Sequence, residues 1–293
     1  MLRFVVALSL VGLALTTPPV VRSREEIQEY RHFLESTKND NGLLSSRQAL
    51  NPNANAEELS GKFEGDIVLD DVMIEQMVED YALGQNAYIW PNTRWPHNTV
   101  VWEYGDNAFN DEQKAALEAG IKYIEDHSCV KFRKREPFEF AFVNVTGYPS
   151  GCFAHVGFWA PRGAHTYNLA PNTPGVGCFR HATIVHEWLH IIGFFHMQST
   201  YNRDDYVKIV TENINPGSIH NFEKRTSDLV SNLGIDYDYV SVMHYGPFAF
   251  SINGLATIIA LQEHEGTMGQ RIFITDKDWL RVNRHYECPG AWD

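Results

Sequence analysis

Residues 181 to 196 read HATIVHEWLHIIGFFH, and within them His186, Glu187, His190, Gly193 and His196 fall in the spacing HExxHxxGxxH. On a helix, positions four apart lie about 40° apart around the axis, so His186 and His190 project from one face and can hold one metal ion. Glu187 stands beside them without having to be a ligand. Gly193 can take a left-handed conformation at little steric cost, which ends the helix and returns His196 as a third nitrogen ligand. Three neutral imidazoles with one open position describe a catalytic zinc site.

A bare HExxH is a modest signal, since helices carry such triples as solvated faces. Requiring Gly193 and His196 as well lowers the chance expectation to about 10⁻⁴ copies in a chain of this composition. Ile184, Val185, Trp188, Leu189, Ile191 and Ile192 make the rest of the segment apolar, as in a buried helix. Histidines and a glutamate inside such a wall need a partner. Further along, Ser241 to Gly246 read SVMHYG, where Met243 is the candidate for the Met-turn that lies beneath the metal in metzincin proteases.

The elements that position these residues follow from local pattern. Thr99 to Tyr104 alternates and reads as a strand, and Asn110 caps a helix through DEQKAALEAGIKYIEDH whose Leu117, Ile121 and Ile124 share a face. CVKFRKR and FEFAFVNV read as strands, and Thr275 with Asp278 signals a helix through WLRVNRHY. Strands first and helices later suggest an α+β fold.

Ahead of this part, Arg3 precedes an apolar run of about 12 residues, Phe4 to Leu15, too short to span a membrane and of the form of a secretory signal peptide. We place the signal at residues 1–19, ending between Thr16 and Ser23, and expect a secreted, extracellular protein without a membrane anchor. Cys129, Cys152, Cys178 and Cys288 suit that compartment as two disulfides, with three pairings open; none stand at the close spacing of a four-thiolate zinc site. Asn144-Val145-Thr146 is a glycosylation sequon.

The chain of 293 residues carries 24 Lys and Arg against 37 Asp and Glu, a net charge of −13. That excludes a nucleic-acid partner, which needs clustered cations. The excess is uneven: residues 22–85 hold 6 basic and 14 acidic residues, net −8, while residues 86–293 hold 17 and 23, net −6. In the first stretch RSREEIQEYRHFLES reads as an exposed helix, NPNANAEELS as a linker, and KFEGDIVLDDVMIEQM regains apolar content. An acidic segment between a signal peptide and a compact part is what a propeptide looks like, which divides the chain into a propeptide at 20–85 and a catalytic domain at 86–293.

Taken together, the motifs GCFAHVG, HEWLHIIGFFH, RDDYV, YDYVSVMHYGPFAFSING and MGQRIFITDKDWLRVNRHYEC resemble the astacin family of zinc endopeptidases, and KFEGD resembles that family's FxGD switch. The resemblance implies a fold of two subdomains flanking a long cleft, with a twisted sheet and zinc helix above and a mostly irregular half with a C-terminal helix below. It implies one zinc per chain on His186, His190 and His196, Glu187 as general base, and Tyr245 as a metal-proximal phenol. It also implies pairings of Cys129 with Cys288 and Cys152 with Cys178. Locally Gly65-Asp66 reads as a turn; by resemblance, Asp66 fills the fourth zinc position and silences a proenzyme.

Further expectations concern partners and departures from the family. Substrates are proteins or peptides and the protein is a monomer; resemblance to some members implies that Arg271 in MGQR faces the primed-side pocket and favours acidic residues after the scissile bond, the alternative being a structural or surface Arg. Activation needs cleavage near Gln85-Asn86, where no Lys or Arg lies between Lys62 and Arg94, so a protease other than a trypsin-like one, or the enzyme itself, performs it. A Glu usually follows the third His in this family, and here that place is Met197; Thr200 and Asn202 stand where Arg and Asp are usual. His155, His165, His181, His220, His264 and His285 lie outside ligand spacing and read as surface or satisfied core residues. His244, inside the Met-turn, reads as structural. The alternative, a catalytically silent secreted zinc-binding protein on the same scaffold, would be expected to lose Glu187 or Tyr245 first, and both are present.

Overall fold

A computed structural model describes residues 22–39, 54–82, 93–105, 108–227 and 230–293. The signal segment and the cleavage expected near 85–86 lie outside them. Helix α1 (Arg24–Thr37) opens on a capping box, Ser23 and Glu26 each accepting the other's backbone N–H. It is not the fully exposed helix its charge suggested. Ile27, Tyr30 and Leu34 share a stripe that meets helix α2 (Asp71–Ala82), with Tyr30 and Tyr81 ring centroids 4.3 Å apart. Leu34, Phe63, Ile67, Met73, Ile74 and Met77 form a cluster that also includes Val156 of the later part.

The stretch expected as a linker is a second correction. Asn55, Glu57, Glu58 and Ser60 are buried, and Glu57–Leu59 forms a 3₁₀ turn. Their partners lie far along the chain: Asn55 Nδ2 donates to Gly269 O at 3.0 Å, and Ser60 Oγ donates to Cys152 O at 2.7 Å. Polar composition marks a loop only while such distant partners are unknown.

The later part begins with β1 (Thr99–Tyr104), α3 (Asp111–His127), β2 (Lys131–Lys134), β3 (Phe142–Thr146), β4 (Cys152–Ala154) and β5 (Ala164–Leu169). These strands make one sheet in the order β2-β1-β3-β5-β4, parallel except for β4, which runs antiparallel to β5 at the edge. The strand read from Phe138 starts only at Phe142. Glu139 N–H closes a turn onto Glu136 O and its carboxylate pairs with Arg133, so Phe138 and Phe140 project into solvent. Asn144, the sequon residue, lies half-buried within β3.

Helix α4 (His181–Ile191) packs on the sheet and on α3. Trp188 stacks on Tyr167 with centroids 4.2 Å apart, and Leu117, Ile121 and Ile124 fill the space behind, each such burial stabilising by about 1.5–3 kcal/mol. Gly120 permits the close approach of the two helices, since a Cβ there would stand 2.6 Å from Ile184 Cγ2.

Below the sheet, the chain is mostly turns with one short ribbon, β6 (Val207–Ile209) and β7 (Ile258–Ala260), and it ends in α5 (Asp276–His285). A separate apolar cluster holds Met197, Val207, Phe222, Tyr245 and Phe250. Disulfides join Cys129 to Cys288 and Cys152 to Cys178, the pairings the resemblance implied.

Candidate metal centre

Helix α4 places His186 and His190 one turn apart, both fully buried. It ends where expected: Gly193 has φ +109°, its N–H donates to His190 O at 2.8 Å, and Phe194 N–H donates to Leu189 O at 3.0 Å. A Cβ on Gly193 would also meet His285 Nε2 at 3.0 Å, so the turn has both a conformational and a steric reason for glycine. The chain then returns His196 against the first two rings, its centroid 4.9 Å from that of His190.

Each imidazole is oriented through Nδ1. His186 Nδ1–H donates to Val242 O at 2.8 Å, His190 Nδ1–H to Phe194 O at 2.7 Å, and His196 Nδ1–H to a Glu64 carboxylate oxygen at 3.0 Å. The three Nε2 lone pairs therefore converge, the arrangement that outer partners impose on metal-ligating histidines. Facing them is the Asp66 carboxylate, with Oδ2 at 3.0 Å from His186 Nε2, and Oδ1 at 3.4 Å from His190 Nε2 and 3.3 Å from His196 Nε2.

These four side chains are all buried, with donor atoms within 4.8 Å of one another. Acceptor facing acceptor in a dry site is repulsive unless a cation lies between them. Tetrahedral zinc with bonds of about 2.0–2.1 Å sets ligands about 3.3 Å apart. The spacings match that edge, and Asp66 Oδ1, His190 Nε2 and His196 Nε2 have no hydrogen-bond partner among the described residues. One zinc ion fits this donor set.

Asp66 is held there by its backbone. Glu64 (φ +47°) and Gly65 (φ +86°) make a tight turn in which Lys62 and Gly65 exchange backbone hydrogen bonds of 3.0 and 3.1 Å. A Cβ on Gly65 would press on Phe250 and on the Glu58 backbone. Burial pushes the Asp66 carboxyl up, but positive charge at the cluster of His196, His190 and His186, which a cation held there supplies, outweighs it and holds it well below the usual range.

Glu187 is fully buried beside the cluster and outside it, neither oxygen having a partner among the described residues. Burial first, then the charges of Asp66 and Glu57, hold its carboxyl well above the usual range. Tyr245 lies tilted against His196, ring centroids 4.6 Å apart and planes at 50°, and its hydroxyl donates to Glu64 O at 2.7 Å. Met243 lies in the turn below; Asp278 of α5 accepts Ser241 Oγ at 2.6 Å and Val242 N–H at 3.0 Å, which fixes the carbonyl that orients His186. His244 is buried and hydrogen-bonded through both ring nitrogens, Nδ1–H donating to Tyr245 O at 2.7 Å and Nε2 accepting Tyr237 OH at 2.7 Å. His155 and His165 are buried and hydrogen-bonded as expected, whereas His285 is buried with Nε2 lacking a partner among the described residues.

Residues 57–70 run through the cleft along the edge strand and in its own direction. Ser60 Oγ accepts Cys152 N–H at 2.9 Å, Ala154 N–H donates to Asp66 O at 2.9 Å, and Val68 N–H donates to Ala154 O at 2.9 Å. At one end Glu57 forms a buried ion pair with Arg271, both 2% exposed. In the middle Glu64 pairs with Arg225 at 2.5 Å. Glu64, Arg225, Glu57 and Asp278 were absent from the expected site, although Glu64 stands inside the quoted KFEGD.

A buried three-histidine centre on an HExxH helix, above a Met-containing turn and under a five-stranded sheet with an antiparallel edge strand, defines a zinc metalloendopeptidase of metzincin type. The family model for the Astacin peptidase family matches residues 88–287. The chain is 32% identical to Zinc metalloproteinase nas-4 of Caenorhabditis elegans over 286 residues, 94% of this chain and 87% of that protein. It is 36% identical to Seminal metalloprotease 1 of Drosophila melanogaster over 236 residues, 80% of this chain and 89% of that protein. Among solved structures, High choriolytic enzyme 1, a hatching enzyme zinc-protease from Oryzias latipes, matches with a TM-score of 0.59 at 30% identity, covering 68% of this chain and 97% of that one. The chain belongs to the astacin family; it is a zinc metalloendopeptidase whose substrates are proteins or peptides. No helix among the described residues is long and apolar enough to cross a membrane.

Proposed function

We propose that the chain is a secreted proenzyme in which residues 1–19 are a signal peptide, residues 20–85 keep the protease latent, and residues 86–293 are the protease. The observation that carries latency is the Asp66 carboxylate, set 3.0–3.4 Å from all three Nε2 atoms. With His186, His190 and His196 as ligands, Asp66 takes the position that a catalytic zinc site leaves open. The segment also fills the cleft around it, along β4, at Arg225 and at Arg271.

Zinc bound there supplies Lewis acidity, lowering the pKa of water toward about 7 and polarising a peptide carbonyl. Once the segment has left, Glu187 accepts the proton of the attacking water and delivers it to the leaving amine. Burial against the apolar wall of α4, which remains after Asp66 and Glu57 have left, favours a carboxylate that readily holds a proton. The Tyr245 hydroxyl, now donating to Glu64 O, becomes available to donate to the oxyanion. Arg271, freed of Glu57, offers a buried guanidinium to an acidic residue after the scissile bond.

Met197 stands where the family usually has a Glu and is buried in the lower apolar cluster, so it brings no carboxylate to the new N-terminus. An activating protease, or the enzyme itself, makes the cut near Gln85-Asn86.

The test is the full-length Asp66→Ala protein assayed on casein. It is expected to show chelator-sensitive proteolysis that the parent full-length chain lacks. Parent-level silence in that variant, with its zinc bound, would overturn the assignment of Asp66.

A further inference from the structure

Asp70, the residue before α2, lies at the opposite end of the cleft segment from Glu57. Its carboxylate takes two bonds from Arg162, Nε to Oδ2 at 3.3 Å and Nη2 to Oδ1 at 3.2 Å, and one from His155 Nε2–H to Oδ2 at 2.9 Å. Both donors are enclosed, their side chains 3% and 4% exposed, although Asp70 itself remains 36% exposed. Neither has a part in the zinc chemistry.

The protease part organises this pair by itself. Thr166 N–H donates to His155 Nδ1 at 2.7 Å, which assigns the ring proton to Nε2, and His155 N–H donates to Thr166 O at 3.0 Å. Arg162 ends the short turn Ala160–Arg162, and its Nη1 is buried with no partner among the described residues. Removal of the segment takes away the carboxylate that, among the described residues, pairs with both groups, and it opens both donors to the cleft. A preset Arg fork beside a fixed imidazole N–H suits another carboxylate.

We infer that Arg162 and His155 form a second subsite of the cleft, which takes an Asp or Glu side chain of a peptide substrate once residues 20–85 have left. This rests on the proenzyme reading above. The segment runs parallel to β4, with Ser60 beside Cys152, Asp66 beside Ala154 and Asp70 at His155, so the subsite lies across the metal centre from Arg271. With Arg271 on the primed side, it reads residues before the scissile bond. Four residues of extended chain span at most about 14 Å, which puts the acidic residue roughly three or four positions from the cut. Substrates acidic on both sides of the bond follow, as the segment itself is with Glu57 and Asp70.

The experiment uses the enzyme after removal of the pro-segment and a set of fluorogenic peptides in which Asp, Asn or Lys is placed in turn at each of the four positions before the bond. At one of the outer positions Asp is expected to exceed Asn in kcat/KM by about tenfold, the factor one charge-assisted hydrogen bond supplies. Arg162→Gln is expected to bring that ratio close to one, and Arg162→Glu to favour Lys there. Equal cleavage of Asp and Asn peptides at all four positions, or a preference that survives in Arg162→Gln, overturns the subsite alone. No cleavage of any peptide after trimming overturns the proenzyme reading and the subsite with it.

Discussion

Glu64→Gln in the full-length chain isolates one contact of the proposed latent state, because on that proposal residue 64 is absent from the trimmed enzyme. The carboxylate is 2% exposed, accepts Arg225 Nη2 at 2.5 Å and His196 Nδ1–H at 3.0 Å, and keeps its charge through the opposing pull of Arg225 against burial. Glutamine preserves the volume and removes the charge from a buried pair. It also brings an amide that meets His196 Nδ1–H either as an acceptor in one orientation or as a clashing donor in the other. Loss of one charge from a buried pair costs about 3–5 kcal/mol. The lower figure already shifts the balance between docked and undocked segment by about 100-fold. Hydrogen exchange reads this at the Ala154 and Val68 amides, which donate across the segment–β4 contact, and leak activity on a fluorogenic peptide reads it independently. Both are expected to rise together, while the enzyme trimmed from parent and variant behaves identically. Exchange and leak within threefold of the parent would refute the assignment of this pair to latency.

Two further outcomes follow from other parts of the molecule. Tyr245→Phe in the trimmed enzyme keeps zinc and lowers kcat by about 10²–10³, the usual loss for one oxyanion donor; kcat within threefold of the parent at equal zinc content would remove the phenol from the mechanism. Burial, with Arg94 adding to it, lowers the pKa of His285 to about 3, and burial lowers that of His165 to about 3 as well, both far below the unfolded value of about 6.5. Between those limits the unfolded chain binds more protons, so stability is fully present above about pH 6.5 and is lost as pH falls, by about 1.4 kcal/mol per pH unit for each such histidine. Thermal melts are expected to show that fall, and His285→Leu to make it shallower; a melting temperature that does not move between pH 6.5 and 4 would contradict it.

The ligands were legible because helical geometry and one glycine convert sequence spacing into spatial convergence, and His186, His190, Gly193 and His196 need nothing from the rest of the chain to be recognised. Helices α3 and α5 were legible for a similar reason: Asn110 with Gln113 and Thr275 with Asp278 are local capping boxes. Legibility failed where the partner was distant. Ser60 and Glu57 read as linker residues and Asp70 as one acid in a stretch of mixed polarity, and only the fold brings them to Cys152, Arg271 and Arg162. The orienting acceptors of His186 and His190 are backbone carbonyls of Val242 and Phe194, which carry no side-chain signature at all. Phe138 and Phe140 misled in the other direction, because alternation cannot register that Arg133 draws Glu139 into a turn.

The proposal on which the others rest is Glu187 acting as the base at a single zinc ion. The most direct measurement is zinc content alongside casein hydrolysis for the trimmed parent and its Glu187→Gln variant. One zinc per chain is expected in both, with hydrolysis in the variant lower by about 10²–10⁴. Hydrolysis at the parent's rate in a zinc-loaded Glu187→Gln enzyme would contradict it.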